Sequence, residues 1–164
     1  MTTDITATLV DGQQLQARMP NPAFVVPGVY EALMAFNKAM QPSGLSTTVR
    51  ELVNIRASQI NGCGVCNVQH ARLAKRRGEP DEKIWAIAGW RDAPYFTAAE
   101  RAALALTEAI TVLGQPNPVP DEVWEEAARH YDEQQLAALV LNIAMVNLWN
   151  RLNVSTRQVA GQEW

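Results

Sequence analysis

Cysteine and histidine are scarce, with two of each in 164 residues. Two cysteines cannot form the multiple bridges that hold small coreless secreted domains together. They also fall short of a thiolate-rich zinc module. Concentrated positive charge is missing too. The chain carries 14 basic and 17 acidic residues, a net charge of −3, mixed along its length. Nucleic-acid and polybasic membrane binding need clustered Lys and Arg, so neither is expected. The one dense basic run, "AKRRG" at Ala74–Gly78, reads as the last turn of a helix, where cations complement the dipole.

Long apolar runs are also absent. The longest, Leu136 to Trp149, holds about 14 residues and is interrupted by Asn142 and Asn147, whereas a bilayer span needs about 20. The opening segment, "MTTDITATLVDGQQLQARMP", has no basic region followed by an apolar stretch and does not read as a signal peptide. The expectation is a cytoplasmic protein, where thiols stay reduced. There a cysteine pair points to catalysis or metal binding before a structural staple.

What is present is globular: 48% apolar and 19% charged residues, with no repeat, linker or low-complexity block. This length fits a single domain over residues 1–164. The patterning predicts an all-α bundle of about six to seven helices. Pro27 opens one to about Met40, and "QPSG" ends it. Ser46 can cap the next, to about Ile60, which "NG" then breaks. A third runs from the cysteines to about Arg77, with Gly78 beyond its end. Pro80 opens a fourth, to about Trp90. "TAAE" at Thr97–Glu100 is a capping box for a fifth, with Ala103, Leu106, Ile110 and Leu113 as its stripe. A short helix follows "PVPDE", and Asp132 with Gln135 caps a last one to about Val154. Only "ATLVDGQQLQ" reads as a weak strand or an irregular arm. The last helix is apolar nearly all round from Leu136 to Val146, which requires burial on every side and favours an oligomer.

The chemistry concentrates in "NGCGVCNVQH", Asn61–His70. Cys63 and Cys66 at the start of a helix can bond without backbone movement, and the helix N-terminus favours a thiolate. Cys66 and His70 stand at i and i+4 on one helix face, so the imidazole can exchange protons with the Cys66 sulfur, directly or through a water. Gly62 and Gly64 leave room for a second thiol, or are simply turn residues. Glu51, one helix upstream, returns to the His70 side if the two helices form a hairpin. A zinc site from Cys63, Cys66, His70 and Glu51 is chemically possible. Cys-x2-C is only half of a usual structural site, and no metal and no cofactor are expected. His130, in "EEAARHYDE", reads as structural. The five Trp residues read as core and interface anchors.

The run "RELVNIRASQINGCGVCNVQHARLAKRRG" resembles the core motif of the alkylhydroperoxidase D-like family, in the carboxymuconolactone decarboxylase superfamily. That motif reads Glu, eleven residues, Cys-x-x-Cys, three residues, His. Glu51, Cys63, Cys66 and His70 fill all four places. The likeness is strong over Val49–Leu113 and continues weakly into "VNLWNRLNVSTRQ", where Trp149 and Asn150 match the family's closing helix and are candidates to line a pocket. The resemblance implies an all-helical homo-oligomer (trimer, dimer or hexamer). It implies a thiol-dependent reductase of alkyl or hydrogen peroxide, or of disulfides. Cys66 attacks, Cys63 resolves, and Glu51 and His70 carry protons. An external dithiol or disulfide reductant restores the pair.

Two departures stand out. Peroxiredoxin-reducing members carry a second His where this chain has Val65, and they place the motif later in the chain. Both point to the shorter relatives. The alternatives are a non-redox decarboxylase of a lactone or β-keto acid, whose family members generally lack the Cys pair, and a redox-sensing adaptor without turnover.

Overall fold

The structure, a computed structural model, describes residues 15–114 and 116–161. Among them are eight α-helices and no strand: α1 Pro22–Val25, α2 Val29–Ala39, α3 Thr47–Ile60, α4 Gly64–Arg76, α5 Asp81–Trp85, α6 Ala98–Thr111, α7 Asp121–His130 and α8 Glu133–Ser155. Short 3-10 turns follow α2 (Gln41–Ser43) and α5 (Ala86–Gly89). The segment read as a weak strand lies outside the described residues as far as Gln14.

Capping chemistry marks several boundaries. At α6 the Thr97 hydroxyl accepts from the Glu100 amide, and the Glu100 carboxylate accepts from the Thr97 amide. Asp132 and Gln135 make the same reciprocal pair at α8. Gly78, just past α4, takes φ 93°, the left-handed conformation that ends helices. Gly62 does likewise at φ 67° in the turn between α3 and α4, so it serves the turn.

Several boundaries differ from the sequence reading. The helix count exceeds six to seven because a four-residue α1, capped by the Asn21 side chain, precedes α2. The helix opened by Pro80 ends at Trp85 and tightens into 3-10 geometry before Trp90. α6 stops at Thr111, so Leu113 lies beyond it, exposed. Ser46 stands at the N-cap of α3 without a side-chain capping bond.

The most enclosed helix is α3, which packs against α4, α6 and α8. Val49 and Val53 meet Leu106 of α6 and Leu139 and Ile143 of α8 in one core cluster. Leu52 and Ile55 meet Ala74 of α4, Ile87, Phe96 and Leu104 in a second. Side chains of this size each contribute about 1.5–3 kcal/mol on full burial. α8 is less enclosed than its composition requires: Ala137, Leu141, Ala144 and Leu148 form an exposed stripe. Its other side is rich in buried amides. Asn142 meets Asn54, Asn150 meets Ser58 and Asn61, and Asn147 meets Asn61 and Thr111. The residue order shows that α8 runs in the same direction as α3, with amide side chains setting their register.

Asn150 is fully buried and bonds Ser58 Oγ at 3.0 Å and Asn61 Nδ2 at 2.9 Å. Asn150→Leu removes both bonds, at about 0.5–1.5 kcal/mol each, while Ser58 keeps the Asn54 carbonyl and Asn61 keeps Asn147. Thr97→Ala, which removes only a cap, costs about 1 kcal/mol. Thermal unfolding should rank Asn150→Leu below Thr97→Ala; the reverse order contradicts a register set by amides.

Candidate active site

The α3–α4 hairpin brings together the residues singled out in the sequence. The tight turn at Asn61–Cys63 reverses the chain, and the Cys63 amide donates to the Ser58 carbonyl at 2.9 Å. This rotation places Glu51 of α3 against His70 of α4, with Oε2 and Nδ1 2.7 Å apart. Glu51 is buried, 5% exposed, and its other oxygen lies 3.2 Å from the Arg77 guanidinium. A buried carboxylate needs such partners, because an unpaired one would lose its ionised form. The short carboxylate contact fixes the tautomer: Nδ1 carries the proton and donates to Glu51. The imidazole's Nε2 is then the atom able to take or give a proton. Asn54 Nδ2 stands 3.4 Å from the same Nδ1, and its carbonyl accepts from Asn142 at 2.9 Å.

Cys63 and Cys66 form a disulfide, with Cα atoms 5.4 Å apart. Both are buried, at 2% exposure each. They face different surroundings. Cys63 is the N-cap of α4, where its sulfur accepts the Cys66 amide at 3.3 Å. The Cys66 sulfur accepts from Asn153 Nδ2 of α8 at 3.2 Å. Asn153 is itself held: Asn21 Nδ2 donates to its carbonyl at 2.7 Å, and Asn21 Oδ1 caps α1. The sulfur's hydrogen bond therefore goes to Asn153, and His70 turns toward Glu51. His70 and Cys66 share a face as the i, i+4 spacing predicts, but the described structure has no hydrogen bond between them.

They meet instead across a cavity of about 310 Å³. Cys66, His70, Glu51, Asn54 and Asn153 all contribute to its wall, and Cys63 does not. Arg50 and Arg77 add positive charge. Met145, Val146 and Trp149 of α8, with Met34 and Leu73, give it an apolar side. Trp149 is thus at the cavity, as the closing-helix likeness implies. Asn150 is not, because its amide is committed to Ser58 and Asn61. Among the described residues, no three His, Cys, Asp or Glu side chains converge as a metal-ligand set. His130 lies outside the cavity, 3.0 Å from Glu126.

The sequence reading missed Arg77, Asn153, Asn21 and Arg50. Arg77 is in the basic run read as the last turn of a helix; only the hairpin geometry turns it back onto Glu51. Asn153 and Asn142 left a trace: four asparagines, 142, 147, 150 and 153, in a largely apolar helix. Buried amides must be paired, so such a pattern announces a polar network. Asn21 lies 132 positions from Asn153 and left no such signal.

The carboxymuconolactone decarboxylase family model matches residues 27–109, which hold Glu51, both cysteines and His70. The uncharacterized protein YdfG of Bacillus subtilis is 36% identical over 131 residues, covering 80% of this chain and 88% of that one. A crystal structure of an Agrobacterium tumefaciens protein of unknown function, a candidate AhpD of antioxidant defence, matches at TM-score 0.82 and 30% identity. It covers 90% of this chain and all of that one. The debrominase Bmp8 shares the fold at TM-score 0.73 and 24% identity, over 82% of this chain and 72% of that one. The fold is alkylhydroperoxidase D-like, and the chain belongs to the carboxymuconolactone decarboxylase family.

Proposed function

We propose that the protein is a thiol-dependent hydroperoxide reductase in which Cys66 attacks and Cys63 resolves. One observation carries this reading: of the two cysteines, Cys66 alone lines the cavity that also holds His70 and Glu51. The likeness to an Agrobacterium protein placed in antioxidant defence favours it too. A non-redox decarboxylase accounts for the Glu51–His70 pair but gives the wall cysteine no task.

The cycle starts from the reduced pair. The Asn153 amide, 3.2 Å from the Cys66 sulfur, is placed to stabilise its thiolate. The thiolate attacks the distal peroxide oxygen, forming an S–O bond and breaking O–O. His70 Nε2 takes the proton that Cys66 gives up on forming the thiolate and passes it to the departing alkoxide, with Glu51 holding the imidazolium in between. Sulfenic acid remains on Cys66. The Cys63 thiol attacks that sulfur, water leaves, and the disulfide closes. An external dithiol entering from the cavity attacks the Cys66 sulfur and displaces Cys63 as thiolate. That leaving group is favoured by the Cys66 amide and the helix N-terminus. The dithiol's second sulfur then releases Cys66 and leaves as a disulfide.

The exposed stripe Ala137, Leu141, Ala144 and Leu148 on α8 supports a working homo-oligomer, a dimer, trimer or hexamer. Light scattering at micromolar concentration should give a multiple of 18.1 kDa. Leu141→Glu should lower it, and a wild-type monomer would contradict the assembly.

Steady-state peroxide consumption with excess dithiothreitol tests the reading. Cys66→Ser should be inactive and Cys63→Ser should not sustain turnover. Glu51→Gln and His70→Gln should each slow the peroxide step by about 10²–10⁴, the usual contribution of a positioned acid–base group. Asn153→Ala should shift the pH profile of Cys66 alkylation to higher pH. Sustained turnover by Cys66→Ser sinks the proposal.

A further inference from the structure

Arg50 is the one charged group of the cavity wall that the peroxidase cycle leaves without a task. It sits next to Glu51 on α3 and lines the same cavity as Cys66 and His70. Its hydrogen bonds go to two neutral amides, the Asn142 oxygen at 3.4 Å and the Asn37 oxygen. No ion pair among the described residues includes it. The contrast with Arg77 is direct. Arg77 also lines the cavity, but its Nη1 is paired with the Glu51 carboxylate and reaches the Thr47 carbonyl. Glu51 is the only acid among the described lining residues, and it is shared between Arg77 and His70. Two guanidinium groups against one carboxylate leave the wall with one surplus positive charge when His70 is neutral.

A half-buried guanidinium held only by amides is under-compensated. Burial pushes its pKa below the ordinary value, and nearby Glu51 offsets this in part. The guanidinium has five N–H donors in a planar fork, and the two amides engage two of them. The remaining donors match a carboxylate, which they can grip in bidentate fashion. The two asparagines fix the fork in advance, which lowers the ordering cost of binding. Met34, Leu73, Met145, Val146 and Trp149 give the lining an apolar side, while Gln41 and Gln69 are polar.

We propose that Arg50 is an anion anchor that selects an organic hydroperoxide bearing both a carboxylate and an apolar body. The carboxylate docks on Arg50, the body lies against the α8 side chains, and the peroxide is left to meet Cys66. The chemical step is unchanged: Cys66 takes one oxygen, and the alcohol of the same acid leaves with the His70 proton. The word hydroperoxide rests on the peroxidase reading above; the anion site does not.

Two measurements separate these claims. The first compares cumene hydroperoxide carrying a para-carboxylate with its neutral methyl ester, in wild-type, Arg50→Gln and Arg50→Lys protein. In wild-type, kcat/KM should favour the acid by about tenfold or more, the scale of one charge-assisted pair. Arg50→Gln should bring the acid-to-ester ratio close to one, and Arg50→Lys should keep part of it. Equal wild-type rates for acid and ester overturn the anchor while leaving the peroxidase standing. So does a ratio that Arg50→Gln leaves unchanged. The second is calorimetric titration of oxidised protein with para-isopropylbenzoate and with the neutral para-isopropylbenzamide, which needs no turnover. The benzoate should bind more tightly, and Arg50→Gln should erase the difference. If no peroxide is consumed, the peroxidase reading falls and calorimetry alone decides: benzoate and benzamide binding alike would falsify the anchor.

Discussion

The buried carboxylate of Glu51 sets the terms for the site. A charge taken out of water at 5% exposure costs several kcal/mol unless it is matched. Here two cationic or protonated partners match it, both from the neighbouring helix: His70 at 2.7 Å and Arg77 at 3.2 Å. His70 and Arg77 are seven positions apart, two turns along one side of α4 and its C-cap. The α3–α4 hairpin must therefore adopt the rotation that brings that face to Glu51. The same rotation puts Cys66 of α4 on the cavity side and leaves Cys63 at the helix cap. Orientation of the Glu51–His70 pair and selection of the cavity-facing sulfur are thus one structural fact.

The second constraint comes from α8. A helix with apolar residues on every side could slide against its neighbours, because hydrophobic contact is not directional. Its buried asparagines remove that freedom, since each has a defined partner on α3, α4 or α6. The last of them, Asn153, extends the same ladder to the Cys66 sulfur and, through Asn21, to the cap of α1. A network that holds the fold in register therefore also supplies the hydrogen bond to the cavity-facing sulfur. Functional hydrogen bonds set on rigid elements need little reorganisation during reaction.

How much of this could be read in the sequence depended on its range. Caps and turns were legible because their partners lie within a few residues: Thr97 with Glu100, Asp132 with Gln135, Gly78 after α4. The i, i+4 rule placed Cys66 and His70 on one face, but spacing carries no information about partners. The structure gives His70 to Glu51 and Cys66 to Asn153. The Glu51 assignment came from the motif, since rotation across a turn cannot be deduced from spacing. Apolar patterning marked α8 for burial at the centre or in a subunit interface but did not say which stripe stays open. Arg77 reads in sequence only as part of a basic helix end, and Arg50 carries no signal; what singles them out is a cavity lined from α1, α2, α3, α4 and α8.

The account turns on Cys66 being the sulfur that meets peroxide first. Reduced Cys63→Ser protein should be mixed with a limiting organic hydroperoxide in the presence of dimedone, and the adduct located by peptide mass spectrometry. About one peroxide should be consumed per chain, with the sulfenic-acid adduct on Cys66. Reduced Cys66→Ser protein, treated alike, should consume none at a comparable rate. An adduct forming as fast on Cys63 as on Cys66, or no adduct on Cys66, would contradict the assignment.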